Sequence, residues 1–212
     1  MFAATGDQGS SCGVGAPNGV PAAGPPFVEY PSASPYVVAV GGTTLDTTPA
    51  GAYQGESAWD AGGGGLSQFE YSPSWQNAVQ PASSTPTGAT FRGVPDIAMD
   101  ADLQTGMVLY TASTGWTVIG GTSLASPLAA GVWARMLQGH PSRGYAQSRL
   151  YGMWTASAAG AQTLGPPPTQ PHGPFHDILS GANGAYTALP GFDYTTGMGS
   201  LDVAALAAAA GP

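Results

Sequence analysis

The chain has 212 residues, 42% of them hydrophobic, enough for one large domain with its own core and too many for a disordered segment. Four arginines, no lysine and 12 acidic residues give a net charge of −8 at pH 7, which excludes nucleic acid and anionic membranes as partners, since both require basic patches. No apolar run reaches the ~20 residues of a membrane-spanning helix.

Charge also carries a pH meaning. Near the sequence pI of 4.3 the carboxylates are partly protonated, and with so few basic groups stronger acid adds little positive self-repulsion. The composition fits an acidic medium, and it equally fits surface drift in an acidic proteome. The single cysteine, Cys12, forms no internal disulfide and excludes a cysteine-based metal site. It sits in a Gly/Ser-rich loop with no histidine nearby, a poor setting for a nucleophile.

Met1–Thr5 reads as a strand entered in its middle, so the expectation is a fragment or one processed piece of a longer chain. Tyr36–Val40 predicts a buried strand ended by Gly41-Gly42, with the short edge piece "TTLD" after it. Met107–Thr111 and Trp116–Ile119 flank Ser113-Thr114-Gly115, a hairpin signal. From Thr122 to Gln138 small and apolar residues predict a helix stopped by Gly139, with Pro127 tolerated in its first turns. Gly144–Ala158 predicts a second helix and Gly165–Pro174, "GPPPTQPHGP", an extended surface loop. Ser200–Ala210 predicts a terminal helix begun at Ser200 or Asp202. Strands alternating with helices point to an α/β fold with a mostly parallel sheet, in a single domain over 1–212.

The stretch "IGGTSLASP", Ile119–Pro127, puts Ser123 just after two glycines and at the start of a helix. A helix N-terminus offers unpaired N–H groups and partial positive charge, so a hydroxyl there lies beside donors for a developing oxyanion. The glycines are expected to let a substrate backbone approach closely. Ser123 or Thr122 acting as a plain helix cap is the alternative from these residues alone.

The segment "GTSLASP" resembles the nucleophile motif GTS-x-x-x-P of the subtilisin-like superfamily. "FAATGDQGSS", "YPSASPYVVAVGGTTL", "GGGGLSQFEYSPSWQ" and "RGVPDIAMDADLQTG" follow in that superfamily's order. Asp7 where subtilisins carry an oxyanion-hole asparagine, the "GGG-x-S" run and "P-x-W-Q" together resemble the sedolisins, or serine-carboxyl peptidases. The resemblance runs from Phe2 to about Leu206 and implies a subtilisin-like fold lacking its N-terminal half. It implies Ser123 as nucleophile and Asp7, which donates a hydrogen bond only when protonated, as oxyanion stabiliser. An unperturbed aspartate titrates near ~3.9, so acid supplies that proton. On its own, Asp7 in "TGDQG" is equally a turn residue.

In acid a histidine, titrating at about 6.5, is charged and useless as a base, and sedolisins use a glutamate oriented by an aspartate instead. In the family that pair precedes the oxyanion loop, which here begins near residue 5, so none of Glu29, Glu56 and Glu70 stands in its place. His140, His172 and His176 all follow Asp7, whereas a subtilisin's histidine precedes this loop. The implied partner is therefore an N-terminal half, joined covalently or bound as a separate processed chain, along with a protein or peptide substrate.

"FHDILSGANGAYTALPGFDYTTGMGS" carries Asp177 and Asp193 on a Gly-rich segment, about 175–200, and oxygen ligands of this kind suit Ca2+. By themselves two such acids are ordinary surface carboxylates. The resemblance to the sedolisin calcium loop implies the carboxylates of Asp177 and Asp193 and the carbonyls of Ile178, Leu189 and Gly191 as ligands, Leu189 standing where the family often has glycine. The family also implies a secreted, acid-acting endopeptidase. Rival expectations are a degenerate, non-catalytic protease-like module for binding or structure, and a neutral-pH subtilisin-type enzyme using an upstream histidine. Phe69, Trp75, Trp116 and Trp133 are expected in the core or lining a cleft, and Gly62–Gly65 either near substrate or as a plain mobile loop.

Overall fold

The structure is a computed structural model, and it describes residues 1–11, 24–77, 79, 90–138, 144–161 and 173–209. Cys12, His140, His172 and most of the proline-rich loop lie outside the described residues.

Three parallel pairings build the centre. Strand β1 (Phe2–Ala4) runs parallel to β2 (Val38–Thr47), β2 to β6 (Ile97–Asp100), and β6 to β10 (Ser200–Leu201). Two antiparallel additions extend the sheet: β3 (Tyr53–Ala58) on β2 and β9 (Phe175–His176) on β10. Two separate antiparallel pairs stand apart, β4 (Gly65–Tyr71) with β5 (Phe91–Val94), and the hairpin of β7 (Met107–Thr111) with β8 (Gly115–Ile119). The mostly parallel α/β reading holds.

Strand β2 does not end at Gly41-Gly42. It runs straight through them, because there the glycines serve packing and not chain termination. A Cβ on Gly41 would stand 2.8 Å from the Pro95 ring, and one on Gly42 2.7 Å from Ala101 and 2.8 Å from Trp59.

Helix α2 (Thr122–Leu137) lies across β1, β2 and β6 and buries Ala125, Ala129, Trp133 and Met136 on the sheet side, the four-residue spacing of one helix face. Pro127 sits inside α2, where its missing N–H leaves the Ser123 carbonyl without its usual helical partner. Helix α3 (Ala146–Ala161) adds Leu150, Tyr151 and Trp154 to the same core. Helix α4 (Val203–Ala209) starts later than Ser200. Asp202 caps it by accepting the Ala205 N–H at 2.8 Å, while Ser200 is a strand residue.

Two of the sequence motifs form a buried polar knot. The guanidinium of Arg92 makes a bidentate pair with Asp96, at 2.8 and 2.6 Å, with both side chains almost fully buried. The same carboxylate accepts the Tyr151 hydroxyl at 2.6 Å and the Ala39 N–H at 2.8 Å. Gln76, at the end of the short helix α1 (Ser74–Asn77), donates to Tyr151 and the Gly93 carbonyl, both at 2.8 Å, and accepts the Gly93 N–H at 3.0 Å. Burial draws the Arg92 guanidinium towards neutrality, but Asp96 and Tyr151 outweigh it and hold the charge in place. The knot thus joins β2, β5, the bend between β5 and β6, α1 and α3.

Candidate active site

Asp7 reaches Thr122, the residue just before Ser123, although Asp7 and Thr122 stand 115 positions apart in sequence. Strand β1 delivers the turn Thr5-Gly6-Asp7 to the start of α2. Oδ1 of Asp7 accepts two hydrogen bonds there, from the Thr122 N–H and the Thr122 hydroxyl, each at 2.7 Å. The Gly6 N–H in turn donates to the Thr122 hydroxyl oxygen at 3.1 Å. Thr122 is fully buried and Ser123 is exposed.

The residue capping α2 is Gly121, with φ +81°, and it has no side chain to cap with. Neither Ser123 nor Thr122 occupies that position. The carboxylate that tends the helix N-terminus comes from Asp7, far away in sequence. Leu124 and Ala125 N–H bond to the Gly121 carbonyl and Thr122 N–H to Asp7, so among the described residues the open N–H of this first turn belongs to Ser123.

The two glycines before Thr122 make room within the chain itself. A Cβ on Gly121 would collide with Oδ2 of Asp7, and its positive φ disfavours any side chain. One on Gly120 would stand 2.7 Å from the Ala101 carbonyl and 3.0 Å from the Leu103 backbone. They admit Asp7 and neighbouring backbone, and so set where Ser123 sits.

The glycine run Gly62–Gly65 is buried and not a plain mobile loop. Gly63 donates its N–H to the Gly6 carbonyl at 2.8 Å and packs so tightly on Thr5 that a Cβ would overlap the Thr5 carbonyl. Asn183 donates to the Gly62 carbonyl at 3.1 Å, linking this run to the C-terminal loop. The Thr5–Asp7 turn is thereby braced by the backbone of the glycine run, which the Asn183 side chain holds in turn.

Among the described residues, no carboxylate or imidazole hydrogen-bonds to the Ser123 hydroxyl. Glu29 is an acidic neighbour of Asp7: partial burial and then the Asp7 charge push its carboxyl up. His176 belongs to another cluster, stacked on Tyr53 at 4.1 Å and 3.6 Å from Asp202.

In the C-terminal loop, Asp177 accepts the Gly191 N–H at 2.9 Å and Asp193 the Leu189 N–H at 3.0 Å, so both carboxylates converge on residues 189–191. Asp193 is buried, and it also accepts N–H and hydroxyl donors from Thr195 and Thr196. Burial pushes its carboxyl up, while the donors from Thr195, Leu189 and Thr196 draw it back. Among the described residues no three His, Cys, Asp or Glu side chains gather around one point. A cation here would draw on two carboxylates plus backbone carbonyls, an all-oxygen set whose chemistry fits calcium.

Of the four aromatics, Trp133 is core and Trp75 packs partly against it. Phe69 and Trp116 are 86% and 74% exposed, which removes them from the core.

Residues 2–199 match the subtilase family. The chain belongs to that family. Within it, the chain is 43% identical over 195 residues to sedolisin of Pseudomonas sp. (strain 101), an alignment covering 85% of this chain and 30% of that protein. It is 39% identical over 216 residues to kumamolisin of Bacillus sp. (strain MN-32), covering 94% and 34% respectively. Xanthomonalisin of Xanthomonas sp. (strain T-22) is 36% identical over 203 residues, covering 84% and 22%. This subtilase chain therefore spans about a third or less of the curated relatives it matches. A solved Pseudomonas sedolisin, a serine-carboxyl proteinase complexed with two molecules of pseudo-iodotyrostatin, superimposes with a TM-score of 0.80 at 37% identity, over 98% of this chain and 54% of that one. Sphericase, at 18% identity and a TM-score of 0.51, shares the fold alone.

Sequence reasoning passed over Thr122 as a partner of Asp7, the Gly63–Gly6 contact and Asn183. Only "GTS" beside "TGD" hinted at the first; the other two depend on segments more than 50 residues apart.

Proposed function

We propose that these 212 residues are the C-terminal part of the catalytic domain of an acid-acting, sedolisin-type serine endopeptidase, secreted into an acidic environment. The observation that carries this reading is the Asp7 carboxyl held against Gly121-Thr122, beside the exposed hydroxyl and open N–H of Ser123.

Ser123 Oγ attacks the peptide carbonyl. Its proton passes to a glutamate, oriented by an aspartate, supplied from outside these residues. The oxyanion accepts hydrogen bonds from the protonated Asp7 carboxyl and from the Ser123 N–H. Collapse expels the amine, protonated by the same glutamic acid, and leaves an acyl ester on Ser123 that water hydrolyses. An ionised Asp7 would repel the oxyanion, which ties activity to acid.

Asp177 and Asp193, with the carbonyls of Ile178, Leu189 and Gly191, would hold Ca2+, whose charge offsets the buried Asp193 carboxylate and braces the loop. Through Asn183 that loop reaches the glycine run behind the oxyanion turn.

A non-catalytic module is favoured by one observation, the service of Asp7 as a cap for α2. The two readings part in Asp7→Asn, assayed in the full protease, these residues together with the N-terminal part of the fold. An amide donates at any pH, so in Asp7→Asn kcat falls less steeply between pH 4 and pH 7 than in the parent, while Asp7→Ala loses ~100-fold. Equal pH profiles for parent and Asp7→Asn, or no turnover by the parent at all, would overturn the proposal.

A further inference from the structure

Asp7 has two oxygens, and the structure treats them differently. Oδ1 accepts both the N–H and the hydroxyl of Thr122, at 2.7 Å each. Oδ2 lies against Gly121, in the space a side chain there would fill. We infer that Thr122 is a positioning residue: by filling the acceptor sites of Oδ1 it forces the catalytic proton of Asp7 onto Oδ2 and aims it at the oxyanion. The inference rests on the oxyanion role proposed for Asp7.

A carboxylic acid carries its proton on one oxygen and offers lone pairs on the other. With two donors pointing at Oδ1, a proton placed there would face two other hydrogens, so it goes to Oδ2. The threonine oxygen already accepts the Gly6 N–H at 3.1 Å on one lone pair, and Oδ1 of Asp7, at 2.7 Å, is the acceptor its own hydrogen meets. Gly6 N–H, Thr122 hydroxyl and Asp7 Oδ1 form one directed chain. Thr122 is fully buried while Gly6 and Asp7 are half-buried, so the hydroxyl at the middle of the chain is sheltered from water. The Thr122 backbone N–H would hold Oδ1 at one point only, leaving the carboxyl plane free to rotate about that bond. The hydroxyl supplies the second point. Gly121 completes the device, since its missing Cβ leaves room for Oδ2 at the mouth of the first turn of α2.

Thr122 touches neither substrate nor the reacting carbonyl in this scheme. Its effect passes wholly through Asp7, and this separates it from a packing residue, whose loss would act with or without Asp7.

The test is a double-mutant cycle in the full protease. Thr122→Val keeps the shape and removes the hydroxyl; Thr122→Ser keeps the hydroxyl and controls for folding. The expected result is a kcat lowered ~10-fold or more in Thr122→Val with KM little changed, and recovery to within ~3-fold of the parent in Thr122→Ser. In an Asp7→Ala background, Thr122→Val has no further effect on kcat. Additive losses, or equal activity of the Val and parent enzymes while Asp7→Ala is impaired, would overturn the role of Thr122 and leave that of Asp7 standing. An unimpaired Asp7→Ala would instead remove the oxyanion reading itself. An independent readout needs no activity: in the 212-residue chain the Thr122 hydroxyl proton gives a slowly exchanging NMR signal, lost in Asp7→Ala. A hydroxyl exchanging at the rate of solvent-exposed threonines contradicts the proposal.

Discussion

The Arg92 guanidinium meets the Asp96 carboxylate edge to edge, at 2.8 and 2.6 Å, Arg92 standing on β5 and Asp96 in the bend that leads into β6. Tyr151 of α3 and the Ala39 N–H of β2 complete the shell around that carboxylate. The short turn through Pro95 lets one chain segment supply both charges, and three other elements are fastened to them.

Breaking this pair strands a buried charge. Arg92→Met is expected to destabilise the fold by about 3–5 kcal/mol, because Asp96 then stays buried with its main partner gone. Tyr151→Phe removes one neutral donor and costs about 1–2 kcal/mol. Guanidinium denaturation midpoints at fixed pH measure both, and a larger loss for Tyr151→Phe would refute the ranking.

Gly63 abuts the Thr5–Asp7 turn so closely that a methyl group there displaces the Thr5 carbonyl. Gly63→Ala is expected to cost about 1–3 kcal/mol of stability. Because Thr5 and Gly6 lead directly into Asp7, kcat in the full protease falls as well, on the order of tenfold or more. Unchanged kcat in a destabilised Gly63→Ala would show that the glycine run serves stability alone.

At Glu29 and Asp100, as at the buried Asp193, stability favours acid. Burial, followed by the Asp7 charge, pushes Glu29 up; burial also pushes Asp100 up, with Glu56 and Asp102 adding to it against donors from Thr105 and Leu45. Each group therefore binds its proton more tightly in the fold than in the unfolded chain. The stability they contribute is complete below the unfolded values, about 3.9 and 4.3, and is lost as pH rises through the higher folded values. Tm is expected to be higher at pH 4 than at pH 7, with a smaller difference in Asp100→Asn. A Tm that climbs between pH 4 and pH 7, or a difference unaltered by Asp100→Asn, contradicts this.

Calcium addition tests the C-terminal loop. At a free concentration of 100 Kd, binding to the folded form alone adds about 2.7 kcal/mol, read as a rise in Tm. Calorimetry of Asp177→Ala is expected to show no binding, with the parent binding one ion. A parent that takes up no calcium while fully folded removes the metal from this loop.

The sequence by itself determined the local pieces. The hairpin at residues 107–119, the helix from Thr122 and the parallel α/β class all follow from short-range periodicity and turn chemistry, and each was found where expected, with small shifts of boundary. The motif order was likewise legible and led to the subtilase family. Where residues had two possible uses, local pattern did not choose between them: Gly41-Gly42 suggested a strand end, the last helix could begin at Ser200 or Asp202, and Phe69 and Trp116 could belong to the core or line a cleft. Each of these outcomes depends on what another part of the chain brings alongside, such as Pro95, Ala101 and Trp59 against the two glycines.

The tertiary structure alone decided the site. Nothing within ten residues of Asp7 reveals that its carboxyl tends a helix starting at Thr122, nor that Thr122 grips one oxygen and Gly121 makes way for the other. The physical reason is range. Helix and turn preferences arise from neighbours a few residues apart, whereas a hydrogen bond across 115 positions exists only once β1 and α2 have packed on the same sheet.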